Sequence, residues 1–211
     1  MFMTNKTRDR SIEELDTRKI EFLKVCDILN SNKIIYFLQT GILLGAIRDK
    51  DFIKWDWDVE ISVFSEDFFP KIDQVVKELE INNFKIINII RKKEDSKIDF
   101  IGRYPADVSR YTIYSWNYSK IRDVYWRRER YVPSKFLKNF SKVSLFNRKF
   151  NCPKNPEEYL SFAYGNWKIP LRTSNKDLYM SKKFRNAKIV MFDNFKKKIQ
   201  KSIYAVWKLF R

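Results

Sequence analysis

Histidine is absent from this 211-residue chain, and that absence excludes imidazole acid–base chemistry, His-containing triads and His-ligated zinc. Cysteine is scarce: Cys26 and Cys152 lie far apart with no CxxC spacing, so two reduced thiols are expected rather than a disulfide or a thiolate metal site. There are four glycines, and two of them, Gly41 and Gly45, fall in one short stretch. No run of about 18 apolar residues occurs, so no membrane-spanning helix is expected. The first ten residues are polar and charged, with no apolar core of a signal peptide. Any catalysis must therefore use carboxylates, lysines, tyrosines or a hard metal ion.

What the chain has in excess is positive charge and aromatic surface. Lys and Arg number 43 against 26 acidic residues, a formal charge of +17, and 17% of residues are aromatic. A field of that sign attracts nucleotides, nucleic acid or an anionic membrane surface. With 44% hydrophobic residues the chain can bury a substantial core in one domain.

Ser11-Ile12-Glu13-Glu14 has the form of a capping box opening a helix that runs to about Asn30. Lys33 to Leu38 is a short β-branched and aromatic run, and Ile42 to Arg48 a short helix or turn. Val59 to Val63 alternates as a strand, and Ser65 is expected to cap a helix reaching Leu79, with Phe69, Ile72, Val75, Val76 and Leu79 on one face. Phe84 to Ile90 and Ile98 to Ile101 are expected strands. Residues 103 to 150 resist division. Asn155-Pro156-Glu157-Glu158 predicts a second box-capped helix ending at Gly165. Residues 1–180 are taken as a catalytic domain, followed by a basic amphipathic helix in 181–211. That helix is placed to contact a membrane surface through residues 187–211, with Trp207 and Phe210 inward and its lysines toward anionic headgroups, or else to pack on the domain.

The chemistry concentrates in Asp56-Trp57-Asp58-Val59-Glu60. On an extended backbone, residues two apart share a face, so three carboxylates would line one side and Trp57, Val59 and Ile61 the other. Like charges at that spacing repel unless a cation sits among them, and a hard divalent ion takes such oxygen ligands. Just upstream, Thr40-Gly41-Ile42-Leu43-Leu44-Gly45 reads as a strand-to-helix turn whose N–H groups favour phosphate. Arg48 ends that helix, where it could pair with the same anion. The aromatic and basic middle (Tyr111, Tyr114, Trp116, Tyr118, Tyr125, Trp126, Arg127, Arg128, Arg130) is either core packing or a sugar-binding platform.

Phe37 to Arg48, followed by Phe52-Ile53-Lys54-Trp55-Asp56-Trp57-Asp58-Val59-Glu60, resembles the paired motifs of the LicD and fukutin-related family. Cys152 to Leu160 with Tyr164-Gly165-Asn166-Trp167 resembles its downstream element. Ile42 departs from the family's Thr or Ser, Lys54 from its Pro and Glu60 from its Asp. The resemblance implies a nucleotidyltransferase-like α/β fold, a mixed sheet flanked by helices. It implies transfer of a phospho-alcohol group from a CDP-linked donor to a glycan or glycolipid acceptor, with Mg²⁺ or Mn²⁺ as cofactor. By motif position Asp58 and Glu60 would bind the metal. Asp99 in Lys97-Ile98-Asp99-Phe100 would add a further carboxylate, and Asp56 or Asp99 would take the acceptor's proton. Gly41, Gly45 and Arg48 would bind the donor phosphates. A cytoplasmic protein at the inner face of the membrane is expected. Two alternatives are a nucleotidyltransferase or binding protein acting on nucleic acid, which lacks any supporting recognition motif here, and a silent glycan-binding relative.

Overall fold

The computed structural model describes residues 7–104, 110–128 and 130–185, together with residue 199. The basic helix expected over 187–211 lies outside the described residues. Helix α1 spans Ile12–Ser31 and opens on a complete capping box. The Glu14 N–H donates to Ser11 Oγ at 3.2 Å, and the Ser11 N–H to Glu14 Oε2 at 2.7 Å. Strand β1 (Tyr36–Leu38) leads into α2 (Thr40–Leu44), which continues as a π-helical turn over Gly45–Asp49. Strand β2 is Asp58–Phe64, with Val59, Ile61 and Val63 buried while Asp58 and Glu60 face outward, as the alternation predicts.

The helix after β2 is broken. It comprises α3 (Ser65–Phe68), a 3-10 turn at Phe69–Lys71 and α4 (Ile72–Ile81). Pro70 explains the interruption, since it cannot donate within a continuous helix. The break shifts the buried face, so Phe68 rather than Phe69 is inward, and Ser65 makes no side-chain cap. Then come β3 (Lys85–Ile90), β4 (Lys97–Ile101), β5 (Arg110–Ser119), β6 (Val124–Arg127), β7 (Arg130–Pro133), β8 (Phe140–Leu145) and β9 (Arg148–Pro153). Three helices close the described chain: α5 (Pro156–Tyr164), α6 (Lys176–Tyr179) and α7 (Lys182–Arg185). At α5 no capping box forms. Asn155 is left-handed (φ 53°) and its side chain donates instead to Glu158 Oε2, so Pro156 alone sets the helix start.

The main sheet is mixed, in the order β1-β2-β5-β4-β3, with β6 and β7 extending from β5. Only β2 and β5 run parallel among the paired strands. Their register sets Glu60 beside Thr112, and the β4–β5 register sets Thr112 beside Asp99. β8 and β9 form a separate hairpin, tied to β1 where Asn151 Nδ2 donates to the Tyr36 carbonyl at 3.1 Å. The core runs under both: Phe22 of α1 meets Phe52 edge-on at 5.9 Å and Phe150 at 5.4 Å, and Phe100 stacks on Tyr111 at 5.5 Å. Cys26 and Cys152 are free and buried. No described helix is long and apolar enough to cross a membrane.

Candidate functional site

The turn between β1 and α2 is built around one strained residue. Thr40 is buried and β-branched yet sits at φ 52°, a conformation such residues rarely adopt outside sites that need it. The preceding Gln39 is wholly buried and pinned. Ser62 Oγ of β2 donates to Gln39 Oε1 at 2.9 Å, and Trp116 Nε1 of β5 donates to Ser62 Oγ at 3.3 Å. Three strands thus hold the turn, and Thr40 Oγ1 reaches Glu60 Oε2 at 3.4 Å.

Below the turn is a cleft of about 650 Å³. Asp56, Asp58 and Glu60 line it together, with Thr40, Gly41 and Ile42 on one side. Asp58 and Glu60 arrive by strand alternation. Asp56 does not: it lies in the turn before β2, its N–H donating to the Ile53 carbonyl at 2.9 Å and its Oδ1 accepting from the Trp57 N–H at 3.0 Å. Because the backbone is not yet extended there, Trp57 also lines the cleft instead of turning to the opposite face, and Arg110 lies 5.3 Å over its ring.

The electrostatics follow from that crowding. Burial, against the opposing charge of Arg18, pushes the Asp56 carboxyl up to about 6, with Glu60 adding repulsion. Asp58 is raised well above the usual range by burial, then by the charges of Glu60 and Asp56; Arg18 and Lys176 only partly offset this. Arg18 comes from α1, 2% exposed, and its Nη1 donates to the Asp56 carbonyl at 2.8 Å while its guanidinium lies 5.7 Å over Phe52. Nothing in the motif points to it, but a signal was present: Leu15, Arg18 and Phe22 share one helical stripe, and an arginine on an apolar stripe requires a buried partner.

The remaining residues expected at the site divide. Gly41 lines the cleft, and a Cβ there would come within 2.6 Å of Asp56 Oδ2. Gly45 does not line it; its Cβ would strike the Asp51 carbonyl oxygen at 2.5 Å and the Ile53 nitrogen at 3.1 Å, so this glycine serves backbone packing. Gly41→Ala is accordingly expected to displace the Asp56 carboxylate and lower turnover by about a hundredfold with little change in stability. Gly45→Ala is expected to cost about 1–3 kcal/mol of stability. Denaturant melts and turnover measured on both variants check this; a reversed pattern would contradict the assignment.

Arg48 borders the cleft, but its fork grips Asp49 at 2.8 and 2.9 Å and its Nη1 donates to the Trp167 carbonyl at 3.4 Å. Asp99 is not brought to the cleft. It lies on β4, with β5 between it and Glu60, on the order of 10 Å away by strand spacing. Burial would raise its carboxyl, but hydrogen bonds from Lys97, Thr112 and Asn88 outweigh that and hold it low; the Lys97 ammonium is 2.6 Å away. Of the aromatic and basic middle, Tyr111, Tyr114 and Trp116 are core residues and only Arg130 lines the cleft. Much of the remaining lining comes from residues 164–180, among them Tyr164, Trp167, Lys176, Tyr179 and Met180.

The donor set suits a hard divalent cation, since Asp56, Asp58 and Glu60 line one cleft where their mutual repulsion is only partly offset by Arg18 and Lys176. Among the described residues no three carboxylate or thiolate groups close around an ion by themselves.

Residues 33–155, more than half of the chain, match the family model described as LicD/FKTN/FKRP, nucleotidyltransferase domain. A 43-residue segment is 42% identical to ribitol 5-phosphate transferase FKRP of Mus musculus and of Homo sapiens, covering 20% of this chain and 9% of those proteins. The chain therefore aligns with under a tenth of the length of these relatives. Among solved structures, the antibiotic-resistance factor ANT(2'')-Ia superposes with a TM-score of 0.51 at 11% identity, covering 93% of this chain and 97% of that one. The lincosamide antibiotic adenylyltransferase LnuA, bound to lincomycin, gives a TM-score of 0.49 at 17% identity over 81% of this chain and 96% of that one. With the acidic motif, the glycine turn and the mixed sheet all inside the matched span, this chain belongs to the LicD/FKTN/FKRP family and carries its nucleotidyltransferase domain.

Proposed function

We propose that this protein transfers a phospho-alcohol group, such as ribitol phosphate or phosphocholine, from a CDP-linked donor to a hydroxyl of a glycan or glycolipid acceptor. The observation that carries this reading is the convergence of Asp56, Asp58 and Glu60 on the floor of one cleft beneath the Thr40–Gly41 turn. Asp58 and Glu60 would hold Mg²⁺, or Mn²⁺. When bound, that ion supplies charge neutralisation at the donor's phosphoanhydride and polarises its phosphorus.

The chain's own residues do the rest. The acceptor hydroxyl oxygen forms a bond to the distal phosphorus as the bond from that phosphorus to the bridging oxygen breaks, and CMP leaves with the bridging oxygen. Asp56 takes the hydroxyl proton. It is the carboxylate in the cleft that is not on the strand, and a pKa of about 6 suits a base at neutral pH. Asp99 has no part in this scheme. Trp57, Trp167 and Tyr164 supply flat apolar faces against which a base or sugar ring can lie.

Thermal shift with CDP-choline, CDP-ribitol, CDP-glycerol, CTP, UDP-sugars and ATP, each with and without Mg²⁺, tests the reading. A ligand that binds the native state raises the melting temperature. A Mg²⁺-dependent rise for one CDP-alcohol, followed by CMP release with an acceptor glycan, is the expected result. No rise with any of them, combined with salt-dependent binding of RNA, would replace this reading with a nucleic-acid function.

A further inference from the structure

Among the described residues three cations line the cleft: Arg48, Arg130 and Lys176. They differ in what they already hold. Arg48 is gripped by Asp49 on two sides and donates its remaining arm to the Trp167 carbonyl. Arg130, at the start of β7, has its guanidinium 5.8 Å over the Phe184 ring, with no carboxylate in ion-pair range among the described residues. Lys176 begins α6, where Asn175 accepts the Asp177 N–H at 3.0 Å and so fixes the chain direction; it too has no carboxylate partner among the described residues.

Both uncommitted cations nevertheless line the same cleft as Asp56, Asp58 and Glu60. Tyr164 and Tyr179 line it with them. Two cations and three carboxylates thus line one cleft without an ion pair between them among the described residues, which leaves room there for an anion. Elsewhere in this chain basic side chains readily close ion pairs, as at Arg91–Asp73, Lys138–Asp123 and Arg148–Asp27. The failure to pair inside the cleft therefore reflects geometry and not a lack of acids.

We infer that Arg130 and Lys176, rather than Arg48, form the phosphate-binding wall of the cleft and grip the outward oxygens of a diphosphate. This rests on the transferase reading above. The charge balance supports it: three carboxylates and a diphosphate diester carry five negative charges, while one divalent ion with Arg18, Arg130 and Lys176 carries five positive. Arg130 offers a planar fork for two oxygens, and Lys176 a point charge. Lys176 lies outside the matched span of 33–155, so this part of the site belongs to the chain's C-terminal segment.

The test is calorimetric titration of the full chain with magnesium pyrophosphate, which reports phosphate binding whatever the nucleoside. Arg130→Gln and Lys176→Gln are each expected to weaken binding roughly ten- to a hundredfold. Arg130→Lys should recover part of that loss, whereas Lys142→Gln on the β8–β9 hairpin should change nothing, controlling for net charge. Circular dichroism confirms that each variant folds. If the parent binds and only Arg48→Gln weakens it, the assignment to Arg130 and Lys176 is overturned while the transferase reading stands. If the parent binds neither magnesium pyrophosphate nor any nucleoside diphosphate, both fall.

Discussion

Asp58→Asn is expected to abolish transfer, lowering turnover by about a thousandfold or more, while leaving the metal-free protein at least as stable as the parent. Both effects have one cause. The Asp58 carboxyl is raised well above its ordinary value by burial and by the neighbouring charges of Glu60 and Asp56, so its ionised form is held in place at a cost. Asparagine keeps the shape and removes the charge, and with it both the repulsion and the anionic oxygen that a cation needs.

The pH dependence follows with a definite sign. A carboxyl whose folded pKa lies above its unfolded value, near 4, contributes stability that is full below that value and lost as pH rises through the folded one. For Asp56 the window is about 4 to about 6, and the loss across it is roughly 2 kcal/mol after allowing for water in the cleft. The metal-free parent should therefore be more stable at pH 4.5 than at 7. Mg²⁺ binds the ionised form, so its stabilising effect should grow across the same interval. In Asp58→Asn one repelling neighbour of Asp56 is gone, and both trends should flatten. Melting temperature against pH, with and without Mg²⁺, reads all of this. Retained turnover together with an unchanged Mg²⁺-dependent shift would remove Asp58 from the metal site.

Arg18→Met is expected to destabilise the fold by about 3–5 kcal/mol, the usual cost of deleting one member of a buried charged set. For a domain of this size that is a fall in melting temperature on the order of 10 °C. The guanidinium is almost fully enclosed, satisfies the Asp56 carbonyl and offsets the charges of Asp56 and Asp58. Methionine fills similar volume but leaves that carbonyl and those charges unanswered. Arg18→Lys should recover part of the loss, keeping charge without the fork. The decisive measurement is a double-mutant cycle with Asp58→Asn. If Arg18 acts by offsetting the acidic floor, Arg18→Met should cost less when Asp58 is already neutral. Strict additivity would reduce Arg18 to a packing and hydrogen-bonding residue.

Much of this architecture was legible from local chemistry. The Ser11–Glu14 box and the alternation of Val59 to Val63 report interactions made within a few residues, so α1 and β2 appear where the pattern puts them. The strand β5 was illegible for the opposite reason. It is flanked by β2 and β4, and its residues from Tyr111 to Trp116 are buried without alternation, so period-two reading fails there. The break at Pro70 was visible as a residue but not as a consequence, because which face α4 presents depends on how it packs with α1 and β3.

By itself the sequence determined which side chains are at hand for chemistry: histidine is absent, and Asp56, Asp58 and Glu60 stand behind a two-glycine turn. Tertiary structure alone decided which charges meet. Asp99 shares a sheet face with Glu60 but is held by Lys97 one strand too far away. Arg18, 38 residues from Asp56, lies directly against its carbonyl. Arg130 and Lys176 reach the cleft from β7 and α6. Periodicity fixes the face on which a side chain emerges, whereas distances across a sheet or between layers depend on strand order and packing, which no local pattern encodes.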